Sequence, residues 1–133
     1  MRFLSVYKCA ETGTPPSADE VGRMMKLIDE GTKAGWLLAT EGCLPSALGA
    51  RVRKAGGSVT ATDGPFIESK ELIGGFALLE ASSKEHAIEL ARQFLAVAGD
   101  GECEIRQLYT DSQPGAGTCA DVHTELKGQF AGN

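Results

Sequence analysis

Asp63 stands immediately before Gly64-Pro65-Phe66, and Glu41 stands before Gly42 at what reads as the end of an earlier strand. Two carboxylates brought to one end of a sheet repel each other. One of them then holds its proton to a higher pH, and the pair can serve as acid and base. That is proton-transfer chemistry on a small molecule, of the isomerase or lyase kind. Held apart in water, the two groups are ordinary surface charges. Asp63 also has a structural reading, because Asp-Gly-Pro is turn chemistry: Asp bonds its own backbone, Gly accepts unusual dihedrals and Pro fixes φ. In the same run, Lys70 offers a charge for an anionic ligand. Phe66, together with the single tryptophan Trp36, reads as core or as the wall of a pocket.

Other catalytic sets are missing. No Ser-His-Asp or Cys-His arrangement suggests itself, since His86 falls in the first turn of a predicted helix and reads as solvated, and His123 falls in the tail. Cys9, Cys43, Cys103 and Cys119 show no C-x-x-C pair and no histidine at finger spacing. The expectation is four free thiols, no structural metal and no cofactor.

The elements that must position these residues follow from periodicity. Phe3–Tyr7 alternates as a strand, with Leu4 and Val6 on one face and Phe3, Ser5 and Tyr7 on the other. Ser17 with Glu20 forms a capping box, and Val21, Met24, Met25 and Ile28 recur at helical spacing, which predicts a helix from Ser17 to Ala34 closed by Gly35. Trp36–Ala39 reads as a strand. Ala50–Lys54 and Ser58–Thr62 form a hairpin around Gly56-Gly57, and Gly74–Ala81 is a further strand. Ser82 with Glu85 reads as a second capping box. The apolar stripe Ala87, Ile88, Ala91, Phe94, Leu95 and Ala98 follows it in a helix ending at Gly99, and Glu102–Leu108 closes the series as a half-exposed strand.

This order is β-α-β, a hairpin excursion, then β-α-β. It predicts an α+β, ferredoxin-like βαββαβ domain with an inserted hairpin and both helices on one face of an antiparallel sheet. The other face stays bare and partly apolar, so a homodimer is expected. From Thr110 to Asn133 the composition turns to Gly, Ser, Thr and Pro. Val122, Leu126 and Phe130 at i, i+4 and i+8 would suit a short docking helix there. The chain therefore divides into a domain at 1–109 and an extension at 110–133.

At 133 residues the chain fits one domain whose core needs no staple. A formal net charge of −5 disfavours nucleic acid, and the one basic cluster, Arg51, Arg53 and Lys54, reads as a solvated strand edge. No window approaches the ~18 apolar residues of a membrane span, and the N-terminus lacks a signal-peptide pattern, which points to the cytoplasm and away from membranes.

The run D-G-P-F at Asp63–Phe66, then E-x-K-E at Glu68–Glu71 and G-G-F at Gly74–Phe76, resembles the signature of the DGPF branch of the YCII-related family. So does the order of the remaining features through about Tyr109: the E-G-C-L at Glu41–Leu44, where the family usually has E-G-L, the hairpin, and E-I-R at Glu104–Arg106. The resemblance implies a ferredoxin-like dimer of the dimeric α+β barrel type, with a small-molecule pocket between sheet, motif loop and partner subunit. Some members of the family look enzyme-like, with a histidine and an aspartate proposed as a dyad. The predicted first helix here has no histidine, so that dyad does not carry over. Many DGPF-type genes neighbour extracytoplasmic-function sigma factors, which implies a ligand-binding or regulatory module as the alternative to an enzyme using Asp63 and Glu41.

Overall fold

Arg2–Cys9 forms strand β1, followed by helix α1 (Ala18–Ala34) and strand β2 (Leu37–Gly42). A single 3₁₀ turn at Ser46–Leu48 leads into β3 (Ala50–Ala55) and β4 (Ser58–Asp63), then come β5 (Leu72–Glu80), helix α2 (Lys84–Ala98) and β6 (Glu102–Gln107). The structure is a computed structural model that describes residues 1–67 and 69–110. The expected tail helix through Val122, Leu126 and Phe130 lies outside the described residues.

Four strands form one antiparallel sheet in the order β2-β5-β1-β6, and β3 pairs with β4 in a separate two-stranded sheet. This is the ferredoxin-like α+β arrangement, with the β3–β4 hairpin inserted between the second and third strands of the main sheet. The hairpin turns on Gly56 and Gly57, whose φ angles of 58° and 83° lie in the left-handed region that glycine enters freely. Among the described residues no helix is long and apolar enough to cross a membrane.

Strand alternation sorts the side chains. Leu37 pairs with Leu79 and Leu79 with Phe3, so these three share one face. With Ala81, Ala87 and Leu90 they make the buried core beneath α2. Phe3, 1% exposed, is the largest fully buried side chain. On the opposite face Leu78 lies between Ala39 and Leu4, and Phe76 between Glu41 and Val6. Lys8 and Glu104 form an ion pair at 2.9 Å on that face, which the described residues leave uncovered.

Helix α1 starts as its sequence predicts, with Ser17 Oγ accepting the Glu20 amide at 3.1 Å, and it ends at Gly35 with φ 84°. Helix α2 corrects the expected Ser82–Glu85 box. Its cap is Ser83, whose Oγ accepts from the His86 amide at 3.1 Å, while the Ser82 amide donates to His86 Nδ1 at 3.0 Å. Tandem serines offer two capping registers. The later one places Ala87, Leu90 and Ala91 against the sheet and leaves Glu85 in the first turn, where the helix dipole favours an acid. Strand ends also move: β2 starts one residue after Trp36 and runs on to Gly42, and β5 starts at Leu72 and stops at Glu80. Backbone pairing, with Cys43 N–H donating to Gly74 O at 2.9 Å, draws these strands past their apolar cores.

Candidate functional site

Small residues face one another across the middle of the fold. The sheet presents Ser5, Gly42, Gly75 and Ala77 toward helices that present Ala91 and Ala98. Among the described residues no large side chain fills the space between them. What remains is a cavity of about 420 Å³ between the sheet and both helices, with Met24, Leu27 and Ile28 of α1 and Phe94 of α2 as apolar walls. Its volume falls within the range of small-molecule pockets.

Two aromatic groups set the shape of the cavity. Trp36 slides its indole beneath α1, where Gly31 leaves room: a Cβ at Gly31 would lie 2.6 Å from the ring. The indole thus acts as a spacer between α1 and the sheet. At the other end Tyr7 meets Phe94 edge-on, with ring centroids 5.1 Å apart at 77°, and its hydroxyl donates to Asp100 O at 3.0 Å. Burial pushes the Tyr7 phenol above its ordinary pKa, assisted by the neighbouring Cys9 and Cys103, and burial likewise raises the Cys103 thiol. Both groups are neutral near pH 7. Thr40 Oγ1 donates to Phe76 O at 2.9 Å.

Gly75 has a further steric task. A Cβ there would fall 2.7 Å from the Glu41 carbonyl oxygen and 3.2 Å from Gly42 Cα, so a larger residue would force β2 away from β5 at the cavity rim. The G-G of the G-G-F run is thereby tied to the cavity.

The sequence matches the YCII-related domain over residues 1–110. The chain belongs to the YCII-related domain family. It is also 34% identical, over 77 residues, to an uncharacterized protein of Rhizobium meliloti (strain 1021); the matched region is 57% of this chain and covers 62% of that relative's length.

In this YCII-related domain the five residues singled out from the sequence separate into two groups. Trp36 and Glu41 line the cavity. Glu41 does so at the rim, and its register partner Phe76 belongs to the row of Leu4, Val6 and Leu78, so alternation puts the carboxylate on the far face of the sheet. Asp63, Phe66 and Lys70 do not line the cavity; they belong to the hairpin end and the motif loop. The Asp63 and Glu41 carboxylates are exposed, sit in different sheets, and form no hydrogen bond or ion pair among the described residues.

The turn reading of Asp63 is also revised, because other groups hold the loop. Gly64 N–H donates to Gly49 O at 2.9 Å, and the Phe66 amide donates to Ser46 Oγ at 3.4 Å. Ser46 is itself gripped by Glu11, whose carboxylate accepts from the Ser46 amide at 2.7 Å and from its hydroxyl at 2.9 Å. Arg51, read as part of a solvated edge, instead lies 3.9 Å over the Phe66 ring and donates to Ser69 Oγ at 3.0 Å. A planar guanidinium stacks on an aromatic face in this way. The residues that sequence reasoning missed are Ser5, Tyr7, Thr40 and Phe94. A signal for them was available in the run of small residues Gly74, Gly75 and Ala77 facing the alanines of α2.

Among the described residues no group of His, Cys, Asp and Glu is placed to hold a metal ion. Cys9, Cys43 and Cys103 are free thiols, and Cys119 lies outside the described residues.

Proposed function

We propose that this YCII-related domain, as a member of the DGPF branch, binds a small molecule in the cavity between its sheet and helices. One observation carries the reading: a pocket of about 420 Å³ with apolar walls and three hydroxyl groups, Ser5, Tyr7 and Thr40, in its lining. Pockets with apolar walls and a few placed polar groups are the usual form of ligand sites. The ligand-binding or regulatory alternative, with a sigma-factor partner, fits this site better than catalysis, because among the described residues no ionisable acid/base pair faces into it.

The test uses Trp36, the single tryptophan and a wall of the cavity. Titration with phenylbutanol should give a saturable change in tryptophan emission. Ala91→Phe, which fills the cavity, and Ala98→Leu, which narrows its edge, should each weaken the response by about tenfold or more while the folded state persists. An unchanged titration in both variants would place binding elsewhere.

A second reading keeps Asp63 and Glu41 as acid and base, with Phe66 and Lys70 as ligand contacts. It is favoured by the Glu41 carboxylate, which is exposed beside Phe76 on the bare face of the sheet. A second copy lying on that face would enclose it, and like-charge proximity to an Asp63 loop would then tune the pair. The homodimer is part of both readings, as is a cytoplasmic setting. Light scattering at micromolar concentration should return twice the chain mass; a monomer there would remove the enclosure and, with it, the catalytic reading.

A further inference from the structure

The lining of the cavity selects a chemical class of ligand, given that the cavity is the binding site. Among the described residues Glu41 is the only one in the lining with a charged side chain, and its register sends the carboxylate to the other face of the sheet. Among the described residues no lysine, arginine or histidine lines the space. A charged ligand group would lose its water and meet no counter-charge, which is strongly unfavourable in an apolar site.

The hydroxyl groups narrow the choice further. A carbonyl oxygen can only accept, so Thr40 spends its proton on Phe76 O and Tyr7 spends its proton on Asp100 O. Ser5 is 6% exposed, and its hydroxyl partly offsets the rise that burial gives the Cys103 thiol. What Thr40 and Tyr7 still offer is lone pairs. At these two groups a ligand that only accepts hydrogen bonds finds no free donor, whereas a ligand O–H or N–H finds two acceptors; the indole N–H of Trp36 is the donor-only group of the lining.

We propose that the cavity takes an uncharged molecule with an apolar body and a hydrogen-bond donor, of the alcohol, phenol or neutral N–H type. Orientation follows from the placement of the acceptors. The donor end sits by Tyr7 or Thr40, and the apolar body lies among Met24, Leu27, Ile28 and Trp36.

The experiment compares four probes of matched shape at neutral pH on the full chain: phenylbutanol, its methyl ether, phenylbutylamine and phenylbutyrate. Binding is followed by calorimetry and by Trp36 emission. The alcohol should bind about fivefold tighter than the ether, the yield of one hydrogen bond. It should bind at least about tenfold tighter than either ion, which must be buried unpaired or held outside. Thr40→Val and Tyr7→Phe each remove one acceptor, and at least one of them should bring the ratio of alcohol to ether affinity down to about one. Amine or carboxylate binding as tight as the alcohol would overturn the proposal while leaving the cavity as the site. Equal affinity for alcohol and ether would overturn the donor requirement. If none of the four probes alters Trp36 emission or gives heat, ligand binding in the cavity falls, and this inference falls with it.

Discussion

Phe3→Ala should lower the stability of the folded chain by about 3–5 kcal/mol, the usual range for emptying a buried phenylalanine site. Phe3 is 1% exposed and lies in the same row as Leu37 and Leu79, so the strands on its two sides cannot close the gap without breaking the pairing of β1 with β5 and β6. Against a typical total of about 5–15 kcal/mol, a loss of this size removes much of the folding free energy. Urea unfolding should show the midpoint falling with little change in slope, since the surface exposed on unfolding is nearly the same. The comparison residue is Phe76, on the opposite face and 37% exposed. Phe76→Ala removes the same ring from a half-solvated position and should cost clearly less. A midpoint for Phe3→Ala close to wild type would mean that the core is centred elsewhere.

Gly64→Ala should detach the motif loop from the 3₁₀ turn. A Cβ at Gly64 would run into the Ser46 carbonyl oxygen, with the Ser46 carbonyl carbon 2.6 Å away, so backbone has to give. That backbone is pinned by Glu11 through two hydrogen bonds and cannot give cheaply. Overpacking of this kind costs about 1–3 kcal/mol. The damage should be local, because β3 and β4 form their own sheet and contribute nothing to the buried core. Hydrogen exchange should therefore rise at the amides of β3 and β4 while those of β1 and β5 stay protected. Gly49→Ala is the control: its Cβ would meet Ser46 O at an ordinary 3.5 Å and should be tolerated. Equal exchange in the two variants would mean that the Gly64–Ser46 approach does not hold the loop.

These two substitutions separate the roles that the sequence left mixed in one run of residues. Asp-Gly-Pro-Phe lies on the loop that joins the hairpin to the main sheet, and Gly-Gly-Phe, a few residues on, forms the rim of the cavity. The first is held by Ser46, Gly49 and Arg51, the second by β2. The second lines the cavity directly. The first connects to the cavity through β5 and, by way of Ser46 and Gly49, through β2.

Much of the architecture was legible because it rests on short-range physics. The alternation of Phe3, Ser5 and Tyr7 against Leu4 and Val6 assigns faces within one strand. Ser17 with Glu20, and Gly35 after Ala34, mark helix ends by the hydrogen bonds that a terminus lacks and by the left-handed dihedral that glycine accepts. Gly56-Gly57 fixes a two-residue turn for the same reason. The α2 cap shows the limit of such signals, since Ser82 and Ser83 are chemically equal and only the packing of Ala87, Leu90 and Ala91 on the sheet chooses between them.

Tertiary structure decided the rest, because it depends on residues distant in the chain. Glu11 grips Ser46 across 35 positions, and Tyr7 reaches Asp100 across 93. Arg51 became a lid for Phe66 because the hairpin folds back over the motif loop, which strand alternation within the hairpin does not reveal. Gly31 and Trp36 are close in sequence, yet their contact matters because the indole holds α1 off the sheet. The cavity itself exists where glycines and alanines from two strands and a helix meet beside Ser5 of a third strand. Each of those small residues, read alone, is a turn former or a filler, and only their meeting leaves space that no other described residue fills.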